Sequence, residues 1–355
     1  MKQLLYLGWL GRKNLGDDLM WDLFETMADQ YLEKSKYNIT PSFKGVDIKN
    51  IRHYDHIVLG GGSIINKKNI NILYVALKNR KEVSIWGSGI DLISKNDMER
   101  LDSKEKINFL DQQSESKLIE IIDKANFVGV RGPLTYKVLK NIGVNMETVR
   151  IFGDPGLLLD KPKLTKKSSI KGFGENEKII GLNWGTSYNK IFGKDELKVE
   201  NQLVDSLKYL INKGYKIFIY NVWDKDIEAS INLYDKIGDE ENVRLSTELY
   251  HQDELMNIIE HFTFTINFKL HPNVISIAAG VPFIALGYRF KVYDLCKSIG
   301  LDHLVIATDM ENIQKRISDL EEYISGNRIE IIETSSSEIQ KYQNRLAAPF
   351  IKQMF

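Results

Sequence analysis

Lys269, His271 and Arg131 are the side chains of this chain whose types and settings suit chemistry on an anion. Lys269-Leu270-His271-Pro272 follows Phe262 to Phe268, an apolar run in which Phe and Thr alternate as in a strand. Val274, Ile275, Ile277, Ala278 and Ala279 then recur at helical spacing until Gly280. Proline suits the first turn of a helix and glycine its stop. Lys269 and His271 are therefore predicted at a strand-to-helix junction, beside the free N–H groups of a helix start. In an open parallel sheet, ligands bind at that end. A cation and an imidazole there imply an anionic ligand and a proton-transfer step, since an unperturbed histidine titrates near about 6.5. The competing reading is a histidine that caps or packs. Arg131 occupies a similar junction, between the strand Phe127 to Val130 and a helix opened by Gly132-Pro133-Leu134-Thr135. Its guanidinium suits either a bidentate grip on carboxylate or phosphate or a structural salt bridge.

Asn14, Asp17 and Asp18 lie in a polar segment, Gly11 to Asp18, between a first strand (residues 2–9) and a helix from Leu19 to Leu32. Asn14 or Asp17 could cap that helix. Two adjacent carboxylates exceed what one cap needs, and they also suit sugar hydroxyls or a buried charge network. The strand His56 to Leu59 runs into Gly60-Gly61-Gly62-Ser63, and Val83 to Trp86 runs into Gly87-Ser88-Gly89. Such glycines permit either a sharp turn or close approach of backbone N–H groups to a ligand. The first of these loops is neither a dinucleotide fingerprint nor a P-loop.

The elements that must position these residues form two βα series. One runs over residues 1–160; the other, over residues 178–325, includes strands at Ile179 to Asn183, Lys216 to Tyr220 and Val243 to Leu245, with the Trp184 to Ser187 loop facing a cleft. Residues 161–177, rich in Lys, Ser, Gly and Pro, read as the linker. A helical tail, 326–355, could cross back onto the first domain. Strand-then-glycine repeats are those of a doubly wound parallel sheet. The fold class is thus α/β, with two Rossmann-like domains.

Composition excludes several classes. Lys plus Arg and Asp plus Glu both total 48 in 355 residues, so net charge gives no pull toward nucleic acid. The single cysteine, Cys296, excludes an intramolecular disulfide and a cysteine-rich metal site. His53, His56, His251, His261 and His303 have no metal-ligand spacing. No metal or cofactor is called for. The apolar run at the N-terminus is too short for a signal peptide, and none reaches the ~20 residues that span a bilayer. A cytoplasmic protein is expected, with room for peripheral contact at the inner face of the membrane.

Six loops together resemble the polysaccharide pyruvyl transferase family: Asn14-Leu15-Gly16-Asp17-Asp18, Gly60-Gly61-Gly62-Ser63, Trp86-Gly87-Ser88-Gly89-Ile90, Val130 to Thr135, Gly153-Asp154-Pro155, and Lys269 to His271 with Ala278 to Pro282. Each is short, but they stand in the family's order. Lys269-Leu270-His271-Pro272 replaces the family's usual Arg-Leu-His-Ala, keeping the cation but losing the bidentate fork. The resemblance implies two Rossmann-like domains facing a cleft, as in GT-B glycosyltransferases. It also implies transfer of pyruvate from phosphoenolpyruvate onto a sugar of a cell-surface polysaccharide precursor, usually as a ketal. On that reading His271 is the acid/base. Arg131 and Lys269, with Gly61, Gly62 and Ser63, hold the donor. Asn14, Asp17 and Asp18 orient the hydroxyls of a saccharide acceptor, free or lipid-linked. Asp154 either joins them or caps its turn. The rival readings are a GT-B glycosyltransferase using a nucleotide sugar and a non-catalytic glycan-binding protein.

Overall fold

The computed structural model describes residues 1–103, 105–160, 170, 172–174 and 176–355. Residues 161–169, 171 and 175 of the predicted linker lie outside the described residues. The first sheet holds β1 (Lys2–Leu7), β2 (Tyr37–Pro41), β3 (His56–Leu59), β4 (Glu82–Ser88), β5 (Phe127–Val130) and β6 (Val149–Ile151), in the order β2-β1-β3-β4-β5-β6. The second holds β7 (Lys178–Asn183), β8 (Tyr215–Asn221), β9 (Val243–Leu249), β10 (Phe262–Asn267), β11 (Phe283–Gly287) and β12 (Val305–Ala307), in the order β12-β11-β10-β7-β8-β9. Every strand pair is parallel. Helices cover both faces of such a sheet, so its strands read as continuous apolar runs, as β3 and β11 do.

Most of the helices follow a strand in chain order. The first half has α1 (Leu15–Tyr31), α2 (Lys67–Lys78), α3 (Lys95–Glu99), α4 (Gln112–Lys124) and α5 (Pro133–Asn141). The second half supplies α6 (Glu196–Asn212), α7 (Ile227–Ile237), α8 (Gln252–Ile259), α9 (Leu270–Ala278) and α10 (Phe290–Ser298). The last helix, α11 (Ile313–Ile351), kinks at Asn327, whose φ of −125° is not helical. Its first part packs on the second sheet, where Glu321 accepts from Tyr215 Oη at 2.6 Å. Its second part lies on the first: Trp86 Nε1 donates to the Leu346 carbonyl at 3.0 Å, and Phe350 and Phe355 pack against Phe24.

Two details differ from the sequence reading. α1 begins at Leu15, a turn earlier than the apolar periodicity suggests, because Asn14 Oδ1 accepts from the Gly16 N–H at 3.1 Å and caps it there. β2, short and only partly buried at the edge, carries no apolar run that would announce it. Among the described residues, no helix is long and apolar enough to cross a membrane.

The strand orders place the site. In the first sheet the chain runs from β1 outward to β2 and then returns to β3, so the loops after β1 and β3 diverge at a switch point. In the second sheet the same happens between β7 and β10. Open α/β sheets bind ligands in such crevices. Here the two crevices face each other.

Candidate active site

A cleft of 460 Å³ lies between the two switch points. The first domain contributes Asn14, Asp17, Gly62, Ser63, Asp91 and Arg131 to it; the second contributes Thr186, Lys269, His271, Tyr288, Arg289 and Lys291. The seam is closed by backbone hydrogen bonds, Leu15 N–H to the Val222 carbonyl at 2.9 Å and Asp224 N–H to the Lys13 carbonyl at 3.3 Å.

His271 is held by its neighbours on both sides. Asn267, at the end of β10, donates to Asn273 Oδ1 at 3.1 Å, and Asn273 donates back to the Lys269 carbonyl at 3.0 Å, locking the strand-to-helix turn. Asn183 Oδ1 accepts from the Lys269 N–H at 3.0 Å. No side chain caps α9, and its first residues, Leu270, His271 and Pro272, line the cleft. The imidazole lies against Gly16 of α1: a Cβ there would stand 1.7 Å from His271 Nδ1. Nε2 is buried without a hydrogen-bond partner among the described residues, 4.0 Å from Asp154 Oδ1. Burial pushes the imidazole down to about 4, against the pull of Asp154 and with Lys291 and Arg131 adding to it. The sequence expectation of a group titrating near neutrality is corrected here: desolvation and two cations hold His271 neutral.

Arg131, Lys269, Arg289 and Lys291 line the same cleft, and of these Lys291 and Arg131 act on the imidazole directly. Arg131, 1% exposed, donates to Ser63 Oγ at 2.9 Å and to the Ile90 carbonyl at 3.2 Å, with Asp294 Oδ2 3.7 Å from its Nε. It therefore makes the salt bridge and also presents a face to the cleft. Lys269 Nζ donates to the Thr186 carbonyl at 2.6 Å and sits 3.0 Å from Asp226 Oδ1. Arg289 pairs with Asp91 and donates to Ser187 Oγ at 3.3 Å. Lys291, 3.9 Å from Asp91, is pushed down to about 8 by burial and by Arg289.

The carboxylates separate into distinct roles. Asp17 lines the cleft, and burial raises it to about 7 despite Lys291, with Asp18 and Asp154 adding repulsion. Asp18 instead accepts from the Gly11 N–H at 3.0 Å and is absent from the cleft lining, so the paired-carboxylate expectation reduces to Asp17. Asp154 Oδ1 caps its turn through the Gly156 N–H at 2.9 Å, while buried Oδ2 has no partner among the described residues. Gly62 and Ser63 line the cleft, but Gly61 does not; its Cα faces Met20 and Pro155, where a Cβ would meet both within 2.8 Å. Gly61 serves packing.

Sequence reasoning passed over Asp91, Arg289 and Lys291. Arg289 and Lys291 follow Gly287 at the end of β11, the same strand-then-glycine pattern that marked the other loops, and that pattern could have found them. Asp91 follows Gly89 in the same way.

The family model described as polysaccharide pyruvyl transferase matches residues 14–289. No curated protein matches by sequence. Among solved structures the chain is similar to S. aureus MnaA with UDP, with a TM-score of 0.65 at 11% identity over 96% of this chain and 91% of that one. It is similar also to a UDP-GlcNAc 2-epimerase from Neisseria meningitidis bound to UDP-GlcNAc, with 0.62 at 13% over 99% of each. Anabaena HepE in complex with UDP and glucose gives 0.56 at 12% over 99% and 98%. At these identities the likeness is one of fold, the GT-B arrangement of two parallel-sheet domains. The family match spans every cleft loop from Asn14 to Arg289, and the chain belongs to the polysaccharide pyruvyl transferase family.

Proposed function

We propose that the cleft transfers the pyruvate unit of phosphoenolpyruvate to hydroxyls of a saccharide in a cell-surface polysaccharide precursor, closing a ketal. The observation that carries this reading is a neutral, largely buried imidazole at the uncapped start of α9, in a cleft also lined by Arg131, Lys269, Arg289 and Lys291. Phosphoenolpyruvate is a small enol with two anionic groups, a carboxylate and a phosphate. Four cations and a helix start suit both.

The chemistry needs a proton on the methylene carbon of the donor, which leaves an oxocarbenium-like carbon at C2. One acceptor hydroxyl adds there and loses its proton. Phosphate departs, and the second hydroxyl closes the ring and loses its proton. One proton enters the methyl group and one leaves with phosphate, so the two hydroxyl protons balance. Asp17, raised to about 7, is substantially protonated at neutral pH and can supply the first proton. His271, neutral over the same range, can accept the hydroxyl proton, with Asp154 4.0 Å away to steady the imidazolium formed. Bound donor anions offset the neighbouring cations and favour that charged form.

The competing reading is a nucleotide-sugar transferase, favoured by the UDP ligands carried by the similar solved structures. A thermal-shift comparison separates them. Stabilisation by phosphoenolpyruvate and not by UDP-, GDP- or CMP-sugars supports pyruvyl transfer. Stabilisation by a nucleotide sugar alone overturns it.

A further inference from the structure

Three aromatic side chains gather at the mouth of the cleft, drawn from both domains. Trp9, in the loop after β1, is 43% exposed; Tyr188, in the loop after β7, is 61% exposed. Trp223, between β8 and α7, stands between them, with ring centroids 6.2 Å from Trp9 and 6.5 Å from Tyr188, both edge to face. Large aromatic rings are ordinarily withdrawn from water, and those left out with polar neighbours are enriched where ligands bind.

The backbone here is committed to this display. Tyr188 and Asn189 both adopt left-handed conformations, with φ of 54° and 57°. Consecutive non-glycine residues in that region persist only where the surroundings enforce them. Glu196 supplies the enforcement, accepting from the Ser187 N–H at 2.6 Å, the Asn189 N–H at 3.1 Å and Thr186 Oγ1 at 2.8 Å. Trp223 is fixed by its indole N–H to the Arg12 carbonyl at 3.3 Å, across the domain seam.

We infer that Trp9, Trp223 and Tyr188 form a stacking shelf for a sugar ring of the acceptor, an assignment that rests on the saccharide-acceptor reading above. A pyranose has C–H-rich faces and hydroxyl edges, and the shelf offers both partners. Lys269 Nζ stands over the Trp223 ring at 4.9 Å and Arg12 over the Trp9 ring at 5.9 Å, so the C–H groups meet the aromatic surface those cations leave open, with little entropy to lose, since each side chain has two torsions. Asn14 and Asp17, on the cleft wall beside the shelf, meet the hydroxyls. A ring seated there touches both domains at once, so acceptor binding and closure of the seam reinforce each other.

Trp21, Trp86 and Trp184 are buried, so among the five tryptophans ligand-induced change in intrinsic fluorescence reports on Trp9 and Trp223. The test titrates wild type, Trp9→Ala and Tyr188→Ala with the methyl glycosides of glucose, galactose, mannose and their 2-acetamido forms. In parallel, each protein's thermal shift with phosphoenolpyruvate is recorded. The expected result is a saturable emission change with at least one glycoside, weakened about tenfold in each variant, with the donor's thermal shift unchanged. Wild-type glycoside affinity in both variants overturns the shelf, as does no response to any glycoside. The donor assignment fails separately: if phosphoenolpyruvate stabilises none of the proteins while the glycoside response still depends on Trp9, the shelf stands and the donor assignment falls.

Discussion

Two helix starts, α5 and α9, look alike in sequence and do different work. Each follows a buried strand, carries a basic residue at the junction and has proline in its first turn. At α5 the free N–H groups are already taken. Asp294 of α10, from the other domain, accepts from the Leu134 N–H at 2.8 Å, the Thr135 N–H at 3.2 Å and Thr135 Oγ1 at 2.6 Å. At α9 no side chain caps the start. The first junction is thus a joint between domains with Arg131 buried in it, and the second is open to the cleft with His271 beside it. A strand-to-helix turn is an anion site only when nothing in the protein has already filled it.

The comparison is broken most severely by changing His271. His271→Ala is expected to lower turnover by about 10²–10⁴-fold while leaving the thermal shift with phosphoenolpyruvate in place. Gly16→Ala is expected to act in the same direction without touching the imidazole chemically, because its Cβ would overlap Nδ1 at 1.7 Å. Near-normal turnover in both variants would remove His271 from the reaction.

At the other junction the expected effect is on stability. Asp294→Ala leaves Arg131 and the α5 N–H groups buried with their principal partner gone, a loss of about 3–5 kcal/mol. Denaturant unfolding measures it, and an unmoved midpoint would mean that α5 is not the joint described.

The pH dependence sharpens the α9 side. On the proposed mechanism Asp17 acts protonated and His271 neutral, so kcat/KM is expected to fall as pH rises through about 7 and to fall again toward about 4. Asp17→Asn should abolish the alkaline limb; its persistence would assign that limb elsewhere. Stability carries opposite signs for the two groups. The unfolded chain protonates His271 from about pH 6.5 downward and the folded one only near 4, so this group destabilises progressively as pH falls between those values. Asp17 is protonated first in the folded state, so it stabilises as pH falls from about 7 toward 3.8. His271→Gln removes the first contribution, up to about 3 kcal/mol at pH 4. An acid unfolding curve identical to wild type would contradict His271's depressed titration.

The smallest effect belongs to Asn14, which caps α1. Asn14→Ala should cost about 1 kcal/mol of stability. A rise in acceptor KM beyond that, at constant donor KM, would add a hydroxyl contact to the cap.

Much of the two-sheet architecture was legible because parallel strands buried on both faces write themselves as apolar runs ending in glycine. β2 was not, since an edge strand exposed on one side lacks the run. The junction residues were legible by position, and His271, Arg131, Lys269 and Asp17 all reach one cleft. The shifts of His271 and Asp17 were not, because burial is a property of the assembled domains: the His271 imidazole lies against Gly16, 255 positions away in the chain (271 − 16). For the same reason nothing in Asp18's type separates it from Asp17. They differ by one step around a helix, and that step turns Asp18 to Gly11.

The path of α11 has a consequence for how the molecule comes into being. Phe350 and Phe355 contact Phe24 and Trp86 or Phe127 at ring distances of 5.0 to 5.6 Å, completing an aromatic cluster that begins on β4, β5 and α1. The half of the protein made first therefore lacks part of its interior until the segment that carries Phe350 and Phe355 has been made. The strands of the second sheet lie between the two in the chain, so the two halves, separate as sheets, share one aromatic core.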